Sequence, residues 1–227
     1  MKKNFIMVDI SLPVFPNMPK HPAAYLTGVE LSALANHKKH KRSIQSLTIS
    51  THVSTHIDAP YHTLPNGATV DEIPLEKLCG AAKVLKISSK DYYNPIDVVD
   101  LKCFSDEINS FKKIVINTNW AQKTWGTDEY FIKGPFFTRE ASNFLARFDL
   151  DMIAIDFPNV DSPEDTKAGK QNPNHAILLS KNIILLENII NLNNLPRSEG
   201  KIYCLPIKLV KGDGCPCRVI MEFEHEN

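Results

Sequence analysis

The chain reads as an α/β domain with more strand than helix, and three observations predict it. Short runs rich in Ile, Val and Leu recur along its 227 residues, each bounded by Gly, Pro, Asn or Asp. Helix-type spacing is confined to a few segments between those runs. No repeat of fixed period and no Gly/Ser linker divides the sequence, so residues 1–227 are expected to form one domain.

In chain order, strands are expected at 44–53, 83–87, 114–117, 152–155, 183–186, 203–209 and 218–223. The first is rich in β-branched residues and runs out into a shaped turn. A helix is expected over 138–148, where Thr138 can cap and Ala141, Phe144, Leu145 and Phe148 recur at helical spacing. A weaker helix pattern covers 97–101 or 105–111. Between the last two strands, Lys211-Gly212-Asp213-Gly214 is a hairpin-turn signal.

Composition limits the partners. Lys plus Arg equals Asp plus Glu at 26 each, which gives no electrostatic reason to expect nucleic acid or an anionic membrane. The basic run from His37 to Arg42 has no interleaved aromatics and reads as a solvated loop or helix end. No stretch resembles a transmembrane span. The apolar run after Lys2 and Lys3 ends at Asp9, far short of a signal-peptide core, so a cytoplasmic protein is expected. Five cysteines agree with a reducing compartment. Cys79, Cys103 and Cys204 are expected in the core, and Cys215 and Cys217 in a turn and a strand.

The chemistry concentrates in one segment. His52-Val-Ser-Thr-His56-Ile-Asp58-Ala-Pro-Tyr-His62 carries three of the eight histidines and an aspartate. In an extended segment alternate residues share a face, so His52, His56 and Asp58 would project together. Two imidazoles and a carboxylate from one segment outline a divalent-metal site. A helix would also pair His52 with His56. Val53, Thr55 and Ile57 disfavour that reading, and Pro60 would end such a helix within a turn. Downstream, Glu187 closes an apolar run and His175 precedes another. Alone, Glu187 could be a solvent-exposed strand end, and His175 a helix-start residue. Together with the first segment they complete a set of four His, one Asp and one Glu, enough for two adjacent ions bridged by Asp58.

The segment resembles the His-x-Gly-Thr-His-x-Asp-x-Pro-x-His signature of the cyclase-like metal-dependent hydrolases, which include bacterial kynurenine formamidases and isatin hydrolases. Smaller blocks on either side of it appear in the family's order, among them Asp9-Ile-Ser-Leu-Pro13, Thr118-Asn-Trp120, Ile155-Asp156, Glu187-Asn188 and Gly212-Asp-Gly-Cys-Pro216. The resemblance implies a swivelling β/β/α domain with a mixed sheet core and peripheral helices, assembled as a homodimer or homotetramer. It implies that His52, His56 and Asp58 bind a first divalent ion, zinc or alternatively manganese. His62, His175 and Glu187, with Asp58 bridging, would form a second metal position, or the acid/base group where one ion is present. Ser54 stands where the family commonly has Gly, and Asn159 where many members have Ser; both departures bear on the substrate more than on the metal.

An ion held this way lowers the pKa of a bound water to near ~7. The expected reaction is hydroxide attack on the carbonyl of a small amide, formamide or lactam, with His62, His175 or Glu187 passing a proton to the leaving nitrogen. N-formylkynurenine is the named substrate. A lactone or other small carbonyl compound, or a non-catalytic metal-binding role, is the alternative. Trp120, Phe15 and Tyr61 are read either as walls of an aromatic pocket or as packing residues.

Overall fold

A computed structural model describes residues 5–23, 26–88, 90–167 and 172–224. Among them are ten strands: β1 (Phe5–Asp9), β2 (Glu30–Ala35), β3 (Ile44–Thr48), β4 (His56–Asp58), β5 (Cys79–Lys86), β6 (Lys113–Asn117), β7 (Met152–Ile155), β8 (Ile184–Glu187), β9 (Glu199–Pro206) and β10 (Gly214–Glu224). The hydrogen-bonded order is β1-β10-β4-β8-β7-β6-β5-β9, and β9 also pairs with β10. That last pairing closes seven strands into a ring, with β1 attached along β10. Strands β5 to β8 run parallel, and the remaining pairs are antiparallel. The result is a mixed α/β fold with a barrel-like sheet core and helices outside it.

The parallel strands are apolar throughout because both of their faces are buried. Val115, Met152, Ala154, Ile184 and Leu186 fill the ring together with Val219 and Met221. Ile114, Ile116, Ile153, Ile155 and Leu185 point outward beneath the helices. Those helices are the crossovers that parallel pairing requires. Leu101, Ile108, Phe144, Leu145 and Leu178 cover the outer face from them.

The expected helix over 138–148 forms as Arg139–Leu145, with the Thr138 hydroxyl accepting from the Ala141 N–H at 3.1 Å. Both weaker candidates form, as Val98–Lys102 with Asp97 at its cap and as Ser105–Ser110. Helices such as Trp120–Thr124 and Pro173–Leu179 span fewer than two turns, too short to leave a periodic signal. The basic run forms an exposed helical turn, His37–His40.

Three expectations are corrected. The stretch 44–53 is not one strand leading to the site: β3 pairs only with β2 in a separate ribbon, and residues 51–55 are turns and bends. Ser54 at φ +62° breaks the extended alternation. The run at 203–209 begins earlier and stops at Pro206, whose partner is Cys217, so the connection to β10 is a long loop rather than a tight hairpin. Cys103 is exposed and Cys79 half-buried, while Cys204 is buried; Cys215 and Cys217 both lie within β10. No helix among the described residues is long and apolar enough to cross a membrane.

Asp156, just after β7, ties the end of β6 to the neighbouring loop. Its Oδ1 accepts from the Thr118 N–H at 3.0 Å and the Thr118 hydroxyl at 2.6 Å, and its Oδ2 from the Trp120 N–H at 3.1 Å. Burial outweighs these donors and pushes its pKa up from 3.8 to about 6. Between those values the folded chain holds a proton that the unfolded chain releases. The associated stabilisation is therefore full below the ordinary value and is lost as pH rises through about 6, by about 3 kcal/mol. Denaturant titrations across this range should show the loss in the parent and its absence in Asp156→Asn; the same pH dependence in both proteins would contradict the assignment.

Candidate metal centre

Strands β4 and β8 are antiparallel neighbours, with His56 opposite Glu187. Ile57 points into the ring, so alternation sends His56 and Asp58 to the outer face. Leu186 also fills the ring, which puts Glu187 on that same outer face. His175 comes from the first turn of the helix Pro173–Leu179, and His62 ends the short 3₁₀ turn Pro60–His62. His52 enters from the loop before β4.

That loop is fixed by contacts at both ends. Ser54 takes the left-handed conformation natural to glycine, and its hydroxyl donates to Leu12 O at 3.0 Å. The conformation costs about 1–2 kcal/mol; the hydroxyl bond offsets part of it. Next to it, Thr55 Oγ1 donates to Asn188 O at 2.6 Å and accepts from the Leu12 N–H at 2.8 Å. Gly214 leaves the room His52 needs. A Cβ there would lie 2.6 Å from His52 Cε1 and 2.7 Å from Ile57 O, closer than either could tolerate.

Asp58 is the hub. Its Oδ1 lies 2.7 Å from His52 Nδ1 and 3.3 Å from His56 Nε2, and its Oδ2 lies 3.2 Å from His175 Nε2. Glu187 is 3.7 Å from His56 Nε2 and 3.6 Å from His175 Nε2. Ligand-capable atoms of His52, His56 and Asp58 all fall within 4.8 Å of one another, as do those of Asp58, His62 and His175. Asp58 belongs to both groups.

The far sides of the imidazoles decide what the near sides can do. His56 Nδ1 is 2.9 Å from the Ser54 carbonyl, which can only accept, so Nδ1 carries the proton and the Nε2 lone pair faces Asp58 and Glu187. His175 Nδ1 is 2.6 Å from Asp161 Oδ2, which leaves its Nε2 toward the same two carboxylates. His52 Nε2 is 2.8 Å from Asp213 Oδ2. Imidazoles and two buried carboxylates thus converge, and without an ion they share protons: burial disfavours charge on His175, but Asp161 and Asp58 outweigh it and hold its pKa well above the usual imidazole value. Asp58 Oδ2 lies out of hydrogen-bond alignment with His175 and has no donor among the described residues. A divalent cation resolves that conflict, and a set of imidazoles and carboxylates suits zinc or manganese. The residues fit the ion.

The protonation pattern without an ion records the same strain. Burial opposes charge on Glu187 and the Asp58 carboxylate adds to the effect, so its carboxyl is pushed well above the usual range. Burial also acts on Asp58, but His52 and the other imidazoles hold it well below its usual value. Burial disfavours charge on His52 as well; Asp58 and Asp213 outweigh it and push its pKa up to about 10. In His62 burial wins and the pKa falls.

All six residues picked from the sequence line one cavity, which is open to solvent. Two were missed. Asp161 holds His175 and also accepts from the backbone N–H groups of Asn174 and His175 at 2.7 and 3.3 Å. Asp213 holds His52 and lies 3.7 Å from His62 Nδ1. Its Gly-Asp-Gly setting carried a turn signal and no ligand signal. The proposed aromatic walls do not line the cavity. Trp120 is a packing residue whose Nε1–H donates to Tyr130 O at 3.0 Å, and Phe15 and Tyr61 are exposed. Leu26, Val53, Phe131 and Pro158 form the apolar wall.

The fold is a closed mixed sheet bearing on its outer face a His/carboxylate cluster compatible with a divalent metal. The sequence profile described as putative cyclase matches residues 8–162, and the chain belongs to that family. It is 27% identical over 215 residues to a kynurenine formamidase of Bacillus cytotoxicus, covering 94% of this chain and 96% of the relative. A kynurenine formamidase of Salinibacter ruber is likewise 27% identical, over 95% of this chain and 96% of its own. Isatin hydrolase A from Labrenzia aggregata, solved with benzyl benzoate, superposes with a TM-score of 0.80 at 22% identity, over 97% of this chain and 94% of that one. That structural likeness concerns the fold.

Asp161→Asn and Asp213→Asn should each weaken zinc binding by roughly 10–100-fold, because the imidazoles lose the partners that fix their tautomers. Chelator-competition titration measures this, with circular dichroism confirming the fold. Parent-like affinity in both variants would show that these carboxylates do not orient the cluster.

Proposed function

We propose that this chain is a metal-dependent hydrolase that cleaves the C–N bond of a small amide, with arylformamides such as N-formylkynurenine as its substrates. The observation that carries the reading is the convergence of His56, His175, Asp58 and Glu187 on the wall of an open cavity. Near full-length similarity to proteins named kynurenine formamidase supports it. In this reading His52, His56 and Asp58 hold a first ion, zinc or manganese. His62, His175 and Glu187, with Asp58 shared, hold a second or, where one ion is bound, serve as acid and base. The same reading takes residues 1–227 as one swivelling β/β/α domain, assembled as a homodimer or homotetramer in the cytoplasm.

A divalent ion at this place supplies a Lewis acid and lowers the pKa of water. The chain's own residues do the rest. Glu187, 3.6 Å from His175 Nε2 and facing the cavity, is placed to pass a proton to the departing nitrogen where one ion is bound. His62, kept neutral by burial, can accept a proton from water at the cavity wall. Asp161 fixes His175 so that its Nε2 stays directed at Asp58 and Glu187. The apolar wall of Leu26, Val53 and Phe131 excludes water from the side facing the substrate's carbon skeleton.

Opening of a cyclic amide such as isatin would use the same residues, and an assay separates the two. Protein purified without added ions should contain near-stoichiometric divalent metal and hydrolyse N-formylkynurenine faster than isatin. Asp58→Asn should lose metal and at least about a thousandfold of activity. Full activity in metal-free protein would sink the reading.

A further inference from the structure

Four of the chain's five cysteines lie where the ring closes. Cys204 stands on β9, Cys215 and Cys217 on β10, and Cys79 opens β5 opposite Tyr203. All four pack against the apolar filling of the ring, and none is in a disulfide.

Two of them touch. Cys204 pairs with Val219 and Cys217 with Pro206, which makes the two cysteines diagonal neighbours across the antiparallel ladder. Val219 fills the ring, and alternation gives Cys217 the same inward face. There the two sulfurs meet at 3.5 Å. A disulfide needs about 2.05 Å, so rotation of the side chains and a small strand shift would close the bond. Cys215 instead turns its thiol to Pro216 O at 3.4 Å.

The two thiols differ in access. Cys204 is buried, whereas Cys217 is half-buried and within reach of a small oxidant. Burial, with the Cys217 thiol beside it, pushes the Cys204 thiol well up, so that it stays protonated and escapes direct oxidation. Cys217 also borders the strand that carries the cluster. Its N–H donates to Thr55 O at 3.0 Å, and Pro216 before it stands opposite His56. Thr55 Oγ1 in turn bonds Asn188 O and the Leu12 N–H, so movement at Cys217 is passed to the loop that presents His52 and His56.

We propose that Cys204 and Cys217 form an oxidation site that a hydroperoxide converts to a disulfide, and that the bond loosens the metal centre through Thr55 and Pro216. Cys217 sulfur attacks one peroxide oxygen: an S–O bond forms, the O–O bond breaks, and the other oxygen leaves as water or alcohol. Cys204 sulfur then displaces the oxygen from Cys217 as water, taking the Cys204 proton with it, and the S–S bond forms. The two thiols lose two electrons and two protons, and the peroxide is reduced. The inference rests on the metal centre and not on any substrate.

The test treats the metal-free full chain with hydrogen peroxide, removes the oxidant with catalase, and reads two quantities. Peptide mapping by mass spectrometry should find Cys204 joined to Cys217 in the parent and in Cys103→Ser. The bond should be absent from Cys204→Ala and Cys217→Ser. Chelator-competition titration should show zinc affinity lowered by about tenfold in the oxidised parent. Dithiothreitol should restore it, and peroxide should leave the affinity of Cys217→Ser unchanged. Oxidation confined to Cys103, or a bond from Cys204 or Cys217 to another cysteine, overturns the thiol pair. Unaltered zinc affinity in protein that carries the bond, or an equal loss in Cys217→Ser, overturns the coupling. Zinc binding absent from the reduced chain would overturn the coupling together with the metal centre, whereas the mapped bond tests the thiol pair by itself.

Discussion

Asp58 and Glu187 stand on adjacent strands, buried, with Nε2 of His56 and of His175 turned toward them. Water cannot solvate either carboxylate there, and an isolated buried charge is among the costliest features a fold can carry. His52 Nδ1 meets Asp58 Oδ1 at 2.7 Å, whereas Nδ1 of His56 and of His175 is engaged on the far side by Ser54 O and Asp161, and Asp58 Oδ2 has no donor among the described residues. What remains is a buried convergence of imidazole nitrogens and carboxylate oxygens, a donor set that suits a divalent cation. Much of the surrounding structure works to keep those groups from relaxing apart.

Several features of the fold serve that end. The three-residue β4 is held between β8 and the first residues of β10, so His56 and Asp58 cannot swing outward. Ser54 turns the chain back and lets His52 reach the same centre. Gly214 yields the room for the His52 ring, and Asp213 beside it grips the ring's outer nitrogen. The loop that carries Asp213 is itself anchored: Ala59 N–H donates to Asp213 O, and Val70 N–H to Gly212 O, each at 2.9 Å. A site assembled from loops thus acquires the rigidity of the sheet beneath it.

Much of this was legible in the sequence, and the gaps have physical causes. The parallel strands were readable because burial on both faces leaves unbroken apolar runs. Ring closure was not, because it depends on β9 pairing with two strands at once, and no residue type marks such an edge. The six clustered residues were found through unusual chemistry at close spacing and through resemblance. The alternation argument for His52 failed at Ser54: a serine at positive φ gives no warning of itself. Asp161 and Asp213 were missed because an aspartate that orients a histidine looks, in sequence, like any loop aspartate. Trp120 could not be decided from sequence, since an aromatic near a site is as often packing as wall; the structure makes it a packing residue.

The central claim is that a divalent ion sits on Asp58, in contact with His56. Anomalous diffraction from crystals grown with zinc, recorded on both sides of the absorption edge, tests it most directly. The account predicts a peak at roughly 2.0–2.3 Å from an Asp58 carboxylate oxygen and from His56 Nε2. A map with the ion bound elsewhere, and only protons shared among Asp58, Glu187 and His175, would contradict it.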